Sequence, residues 1–177
     1  MKKVCSVALA LLLVLSCVFT LCACGKDDGT KKPEIPEGYK KYQNEAISFG
    51  YPENWKVQEG GVTILSDASG EGNNITVVSG EDDGTYQDMT MEKFNTTVKP
   101  AYEVMGMAVS DVSLETVTTN GLSVLKIAYT VSAAEVSLGQ TQYIVMAEGK
   151  MHAITVTEST PDEKLVNTVL ETLRLVK

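Results

Sequence analysis

All four cysteines of this 177-residue chain, Cys5, Cys17, Cys22 and Cys24, fall within its first 24 positions. A thiol can pair as a disulfide, ligate a metal, attack a carbonyl or carry a lipid. None of the first three is open to any part of the chain beyond Cys24, which has no sulfhydryl at all. His152 is the single histidine, so a two-histidine zinc site cannot form within one chain. No Gly-x-Ser-x-Gly elbow and no Gly-x-x-x-x-Gly-Lys-Ser/Thr phosphate loop occurs. Hard oxygen donors cluster once, at Glu81-Asp82-Asp83 with Asp88 close behind. Such a run could hold Ca²⁺, but its spacing is not that of an EF-hand loop, and a solvated loop explains it as well. The chain therefore carries no expected catalytic residue, metal site or cofactor, and its ligand-binding residues are unknown at this stage.

Lipid attachment is the chemistry that the cysteines do support. Lys2 and Lys3 open the chain, and Val4 to Leu21 follows without a charge. Small residues then lead to Cys24, the layout of a secretory signal. Leu21-Cys22-Ala23-Cys24 resembles the lipobox of bacterial lipoproteins: an aliphatic residue, two small ones, then cysteine. A small residue before the cut lets the peptide bond enter a signal peptidase, and the thiol after it accepts a diacylglyceryl group as a thioether. Gly25-Lys26-Asp27-Asp28 then switches abruptly to polar. Two alternatives stand beside this one. The apolar run is long enough to stay uncut as a membrane-spanning helix, and a rival box ends at Cys17, although four apolar residues follow it.

These features divide the chain into a signal peptide (1-23), a lipidated cysteine with a flexible tether (24-38), and a folded domain (39-177). The tether, GKDDGTKKPEIPEG, is rich in glycine, proline and charge. Extended, it would reach about 45 Å at roughly 3.1 Å per residue. One acyl chain anchors only marginally, so at least two, palmitate-like, are expected. The expected location is the extracytoplasmic face of the cell membrane.

Charge narrows the partners. Removing residues 1 to 23 takes Lys2 and Lys3 away and leaves 13 basic against 23 acidic groups. So negative a surface repels phosphate backbones, and Arg174 is the only arginine. Nucleic acid is thus not an expected partner. The membrane, through the lipid anchor, and an unidentified envelope protein or small ligand are.

The domain's elements read from periodicity. Ile47 to Tyr51, Val62 to Leu65 and Asn74 to Val78 alternate as strands, with turn residues between the last two. Thr90 can cap a helix whose apolar stripe is Met91, Phe94, Val98, Ala101 and Met105. Pro100 should kink or split it. Val112 to Thr118 and Leu122 to Val131 flank Asn120-Gly121, a strong hairpin turn. Leu125, Ile127, Tyr129 and Val131 share one face. Tyr143 to Ala147 and Met151 to Thr157 flank a Glu148-Gly149-Lys150 turn. Thr160-Pro161-Asp162-Glu163 is a helix start, with Leu165, Val166, Val169 and Leu173 as its buried face. His152 alternates with Ile154 and Val156. Phe49, Tyr51 and Trp55 read as core, with a ligand role for Trp55 as the alternative. Met89, Met91, Met105 and Met107 bracket the first helix as core filling or as a methionine-lined partner groove. The order is that of an α+β layer, helices packed on an antiparallel sheet.

Ile47 to Val57, ISFGYPENWKV, resembles the opening of PsbP-like and DcrB-like domains, where an aromatic strand runs into Tyr-Pro, a short turn and Trp-Lys. The closing stretch from Met151 is similar in style. The resemblance covers about residues 40 to 177. It implies a PsbP-like α/β/α sandwich around an antiparallel sheet, and a role in binding proteins or assisting membrane complexes rather than in catalysis. The alternative is an enzyme, a hydrolase using His152 and carboxylates.

Overall fold

The computed structural model describes residues 34–67 and 72–176; Cys5, Cys17, Cys22, Cys24 and nearly all of the tether lie outside them. Pro33–Lys177 forms one compact unit. Among the described residues no helix is long and apolar enough to cross a membrane.

A seven-stranded antiparallel sheet makes the centre. Its strands are β3 (Lys56–Gln58), β4 (Thr63–Ser66), β5 (Asn74–Glu81), β9 (Lys150–Glu158), β8 (Val136–Ala147), β7 (Leu122–Ala133) and β6 (Ala108–Thr119), in that spatial order. The last three are 12 residues each and run well beyond the apolar cores legible in the sequence. β8 begins seven residues before Tyr143, through Gln140 and Gln142, because pairing with β7 and β9 on both sides satisfies its backbone whatever the side chains are. Asn120-Gly121 joins β6 to β7, and Glu148-Gly149 joins β8 to β9. In both turns the two residues have positive φ, 50° and 77° in the first and 53° and 75° in the second, the twist a two-residue hairpin requires.

A second sheet was not legible as such. β1 (Tyr39–Gln43) and β10 (Arg174–Leu175) flank β2 (Ile47–Pro52), all antiparallel. β2 is buried on both faces, which is why its sequence is apolar or small throughout. The C-terminal helix α3 (Glu163–Thr172) lies beside β2 in the same layer. There the Gly50 N–H donates to Thr172 Oγ1 at 2.7 Å. This layer packs on one face of the large sheet through Phe49, Trp55, Tyr143, Leu165 and Val169, among others. Trp55 is core, with only 8% of its surface exposed.

The opposite face is covered by the first helical stretch, α1 (Met91–Lys93), a π-helical turn (Phe94–Val98) and α2 (Lys99–Val104). Phe94 and Val98 bury against Val109, Ile127, Tyr129 and Val131. Thr90 Oγ1 accepts from Lys93 N at 3.1 Å and caps the start. Pro100 does not break the stretch. It has no N–H for the carbonyl of Thr96, and one residue earlier the Lys99 N–H reaches five residues back to Phe94 O. The distortion expected from proline thus takes the form of a widened turn. Of the four methionines, Met89 and Met107 pack on this core, whereas Met91 and Met105 are exposed; they do not line one groove.

α3 starts two residues later than the sequence signal. Asn73 explains the delay. Its Oδ1 accepts from the backbones of Ser159 and Thr160 at 2.9 and 3.1 Å, and its Nδ2 donates to Thr160 O at 2.8 Å. With Thr160 held this way, Asp162 becomes the cap and accepts from Leu165 N at 2.9 Å. The fold is α+β, antiparallel sheets with helices over both faces of the larger one.

Candidate functional site

A cleft of about 440 Å³ opens at the end of the domain where β1 turns into β2 and β8 into β9. Three backbone devices build it. Asn44 Oδ1 accepts from the N–H groups of Ala46 and Ile47 at 2.9 and 2.8 Å, which fixes the first turn. The Val176 N–H then donates to Ala46 O at 2.8 Å and ties the end of the chain beneath it. Across the opening, Asp82 N donates to Gly149 O at 3.2 Å and holds the β8–β9 hairpin against the end of β5.

His152 forms the cleft's inner wall. Register places it opposite Val145 on β8 and Ser79 on β5. It shares the interior face with Ile154 and Val156, both fully buried, as alternation along the strand anticipates. Only 2% of it is exposed. Its Nδ1 lies 2.8 Å from Ser79 Oγ. Burial first, and the positive charge of Lys150 second, push its pKa below the ordinary 6.5. The imidazole is therefore neutral at pH 7. Glu45, Glu148 and Lys150 stand at the mouth, and Leu175 and Val176 supply an apolar wall. The arrangement offers a small molecule a half-apolar slot with donors and acceptors of both signs at its rim.

The structure thus brings His152 together with two carboxylates, Glu45 and Glu148. Ser79 and Asn44 were not foreseen, since only strand register and the Asx turn show that they reach the same place. The acidic run Glu81 to Asp83 lies beside the cleft without assembling into a metal cage. Asp82 Oδ1 accepts from Gly84 N and Asp83 Oδ1 from Thr85 N, both at 2.9 Å. Hydrogen bonds from Thr85 lower the pKa of Asp83. Among the described residues no group of three or more His, Cys, Asp or Glu is placed to hold a metal ion.

A second polar constellation lies on the other face of the large sheet. Tyr102 donates to Gln140 Oε1 at 3.2 Å and its oxygen lies 2.6 Å from that of Tyr129. Gln140 Nε2 continues to Thr157 Oγ1 at 3.3 Å. Burial, followed by the bond to Tyr102, raises the Tyr129 pKa far above that of an ordinary phenol. The chain of hydrogen bonds ties α2 to the sheet.

These elements, a large antiparallel sheet with a helix on one face and a helix plus a small sheet on the other, define the PsbP-like class of fold. The solution structure of cyanobacterial PsbP (CyanoP) from Synechocystis sp. PCC 6803 matches with a TM-score of 0.55 and 15% identity over 86% of this chain and 99% of that one. A crystal structure from Bacteroides thetaiotaomicron VPI-5482 matches with a TM-score of 0.53 and 14% identity over 79% of this chain and 49% of that one. No protein-family model and no curated protein matches the sequence.

Proposed function

We propose that the protein is a lipid-anchored domain on the extracytoplasmic face of a bacterial membrane, which binds a small ligand or an envelope protein and catalyses nothing. The observation that carries the reading is Leu21-Cys22-Ala23-Cys24 before a polar tether and a domain without thiols. In it, residues 1-23 are the signal peptide, Cys24 carries the diacylglyceryl group, residues 24-38 are the tether, and residues 39-177 are the functional domain. The PsbP-like fold supports an accessory role, and the cleft beside His152 is where a small ligand fits. Growth with an alkyne analogue of palmitate tests the anchor. The wild-type protein takes up the label and fractionates with membranes, and Cys24→Ser abolishes both. Label retained by Cys24→Ser, or wild-type protein found free in the cytoplasm, overturns the reading.

One observation favours a second reading, a hydrolase. Ser79 Oγ and the neutral imidazole of His152 are hydrogen-bonded beside a cleft that also holds Glu45 and Glu148. That pairing would let the imidazole take the hydroxyl proton as the oxygen attacks an acyl group. Turnover on a panel of esters and amides, lost in both Ser79→Ala and His152→Ala while the fold persists, would establish it. No turnover above that of the two variants leaves the binding role.

A further inference from the structure

The floor of the cleft holds a polar atom without a partner. His152 is almost wholly buried, yet only its Nδ1 is engaged, by Ser79 Oγ. Its Nε2 has no hydrogen-bond partner among the described residues. Neither is that atom closed off. The fully buried side-chain polar atoms left without a partner among the described residues are Gln142 Oε1 and Arg174 Nη2. The 2% of His152 that stays exposed therefore includes Nε2. His152 lines the cleft, and Nε2 is the group it leaves for an occupant.

Register orders the charges above that floor. The rung Ser79–His152–Val145 is followed, two residues nearer the β8–β9 turn, by Glu81–Lys150–Ala147 on the same face. The step is about 7 Å at roughly 3.4 Å per residue. Glu148 lies in the turn itself, and Glu45 in the turn from β1 to β2 across the opening. This end thus carries three carboxylates against the one ammonium of Lys150, and Glu81 stands directly opposite that ammonium. The surplus repels an anionic ligand and draws a cationic one. Ala46, Ala147, Leu175 and Val176 add apolar wall.

Resting on the small-ligand role proposed above, we infer that the cleft takes a small aliphatic primary amine with a hydroxyl at its far end. The ammonium lies between Glu45 and Glu148, the alkyl body against Leu175 and Val176, and the hydroxyl meets His152 Nε2. A hydroxyl both donates and accepts, so it suits either tautomer of a ring that shares its other nitrogen with Ser79. Among the described residues no aromatic ring lines the cleft. That disfavours a quaternary ammonium, which ring faces hold, relative to a primary one, which carboxylates hold. The volume, about 440 Å³, lies within the roughly 300–1,000 Å³ of small-molecule sites.

The test uses the full-length protein in detergent micelles, made with isotope-labelled histidine, so that His152 alone gives a signal. The probes are ω-aminopentanol, the ω-diol of the same length and ω-hydroxypentanoate. The amino alcohol is expected to shift the Nε2 resonance saturably, with Nδ1 little changed. The diol and the hydroxy acid should bind at least about fivefold more weakly. Glu45→Gln and Glu148→Gln, both at exposed turn positions, should each weaken the amino alcohol by up to about fivefold and leave the diol unaffected. Equal affinity for all three probes, or an amino alcohol affinity unchanged when both glutamates are replaced, overturns the amine assignment and spares a small-ligand role for the cleft. A His152 signal that no probe moves overturns both, leaving the envelope protein as the ligand. Neither result bears on the anchor, which the palmitate label reads separately.

Discussion

Ser79 Oγ and His152 Nδ1 meet at 2.8 Å across β5 and β9, a partner for an imidazole that burial keeps neutral. The pKa of His152 is lowered from 6.5, so between its folded value and 6.5 the unfolded chain binds more protons than the folded one. Its contribution is present in full above pH 6.5 and is lost as pH falls below that. Urea midpoints measured from pH 7.5 down to 4.5 should therefore decline, and His152→Gln should flatten the part of the decline just below pH 6.5. Ser79→Ala should cost about 1 kcal/mol at neutral pH. An identical profile for wild type and His152→Gln would show that the histidine is not the group being forced to ionise.

Thr172 holds α3 to the small sheet. Its Oγ1 accepts from Gly50 N at 2.7 Å and donates to Thr168 O at 2.5 Å. Thr172→Val preserves shape but leaves a buried N–H without a partner, at a cost of about 1–3 kcal/mol. Gly50 allows the approach. A Cβ there would meet Thr168 Cγ2 and Thr172 Oγ1 at 3.2 Å each. Gly50→Ala should cost about 1–3 kcal/mol by overpacking. The two changes touch one contact, so in the double variant they should sum to less than the separate losses. Full additivity in guanidinium unfolding would mean that they act independently.

The Tyr102 hydroxyl is predicted to be worth more than its area. Tyr102→Phe strands Gln140 Oε1 and the Tyr129 hydroxyl together, and should destabilise by about 1–3 kcal/mol. Tyr129 ionises far above an ordinary phenol because it is buried. Ultraviolet titration of the folded protein should therefore leave Tyr129 silent until alkali unfolds the chain. In Tyr129→Phe the number of phenols that titrate before unfolding should be unchanged. A drop by one would place Tyr129 among the accessible phenols.

What the sequence disclosed and what it hid divide along local and non-local lines. Asn120-Gly121 and Glu148-Gly149 announce hairpins because positive φ restricts residue type at that spot. The Phe94–Val98 stripe and the face shared by Ile127, Tyr129 and Val131 are legible because burial imposes period. β1 was not legible. YKKYQ has just one buried residue, Tyr42, so an edge strand of this kind carries almost no alternation. β10 is two residues long and exists only because β2 offers an edge. For the cleft, His152 was visible as the single histidine, but its partner lies 73 residues away. No pattern within one strand marks a pair made by register, and Val176 reaches Ala46 only once the end of the chain has paired along β2.

The β6–β7 turn also caps α3, and this gives the sharpest test of the packing. Asn120 has φ of 50°, and its Nδ2 donates to the carbonyls of Glu171 and Leu173 at 2.7 and 3.0 Å. Thr119 Oγ1 donates to Leu170 O at 3.1 Å. Those carbonyls lie at the negative end of the helix, where no basic residue stands in the last turn. Asn120→Gly keeps the turn and loses the donors, for a predicted loss of about 1 kcal/mol. Asn120→Asp also tolerates positive φ, but it turns a carboxylate toward carbonyl oxygens and the negative pole. It should be the worse of the two, with faster amide exchange confined to the last turn of α3. If Asp proves as stable as Asn, the turn's worth lies in its backbone shape, and the hydrogen bonds to the helix end contribute nothing measurable.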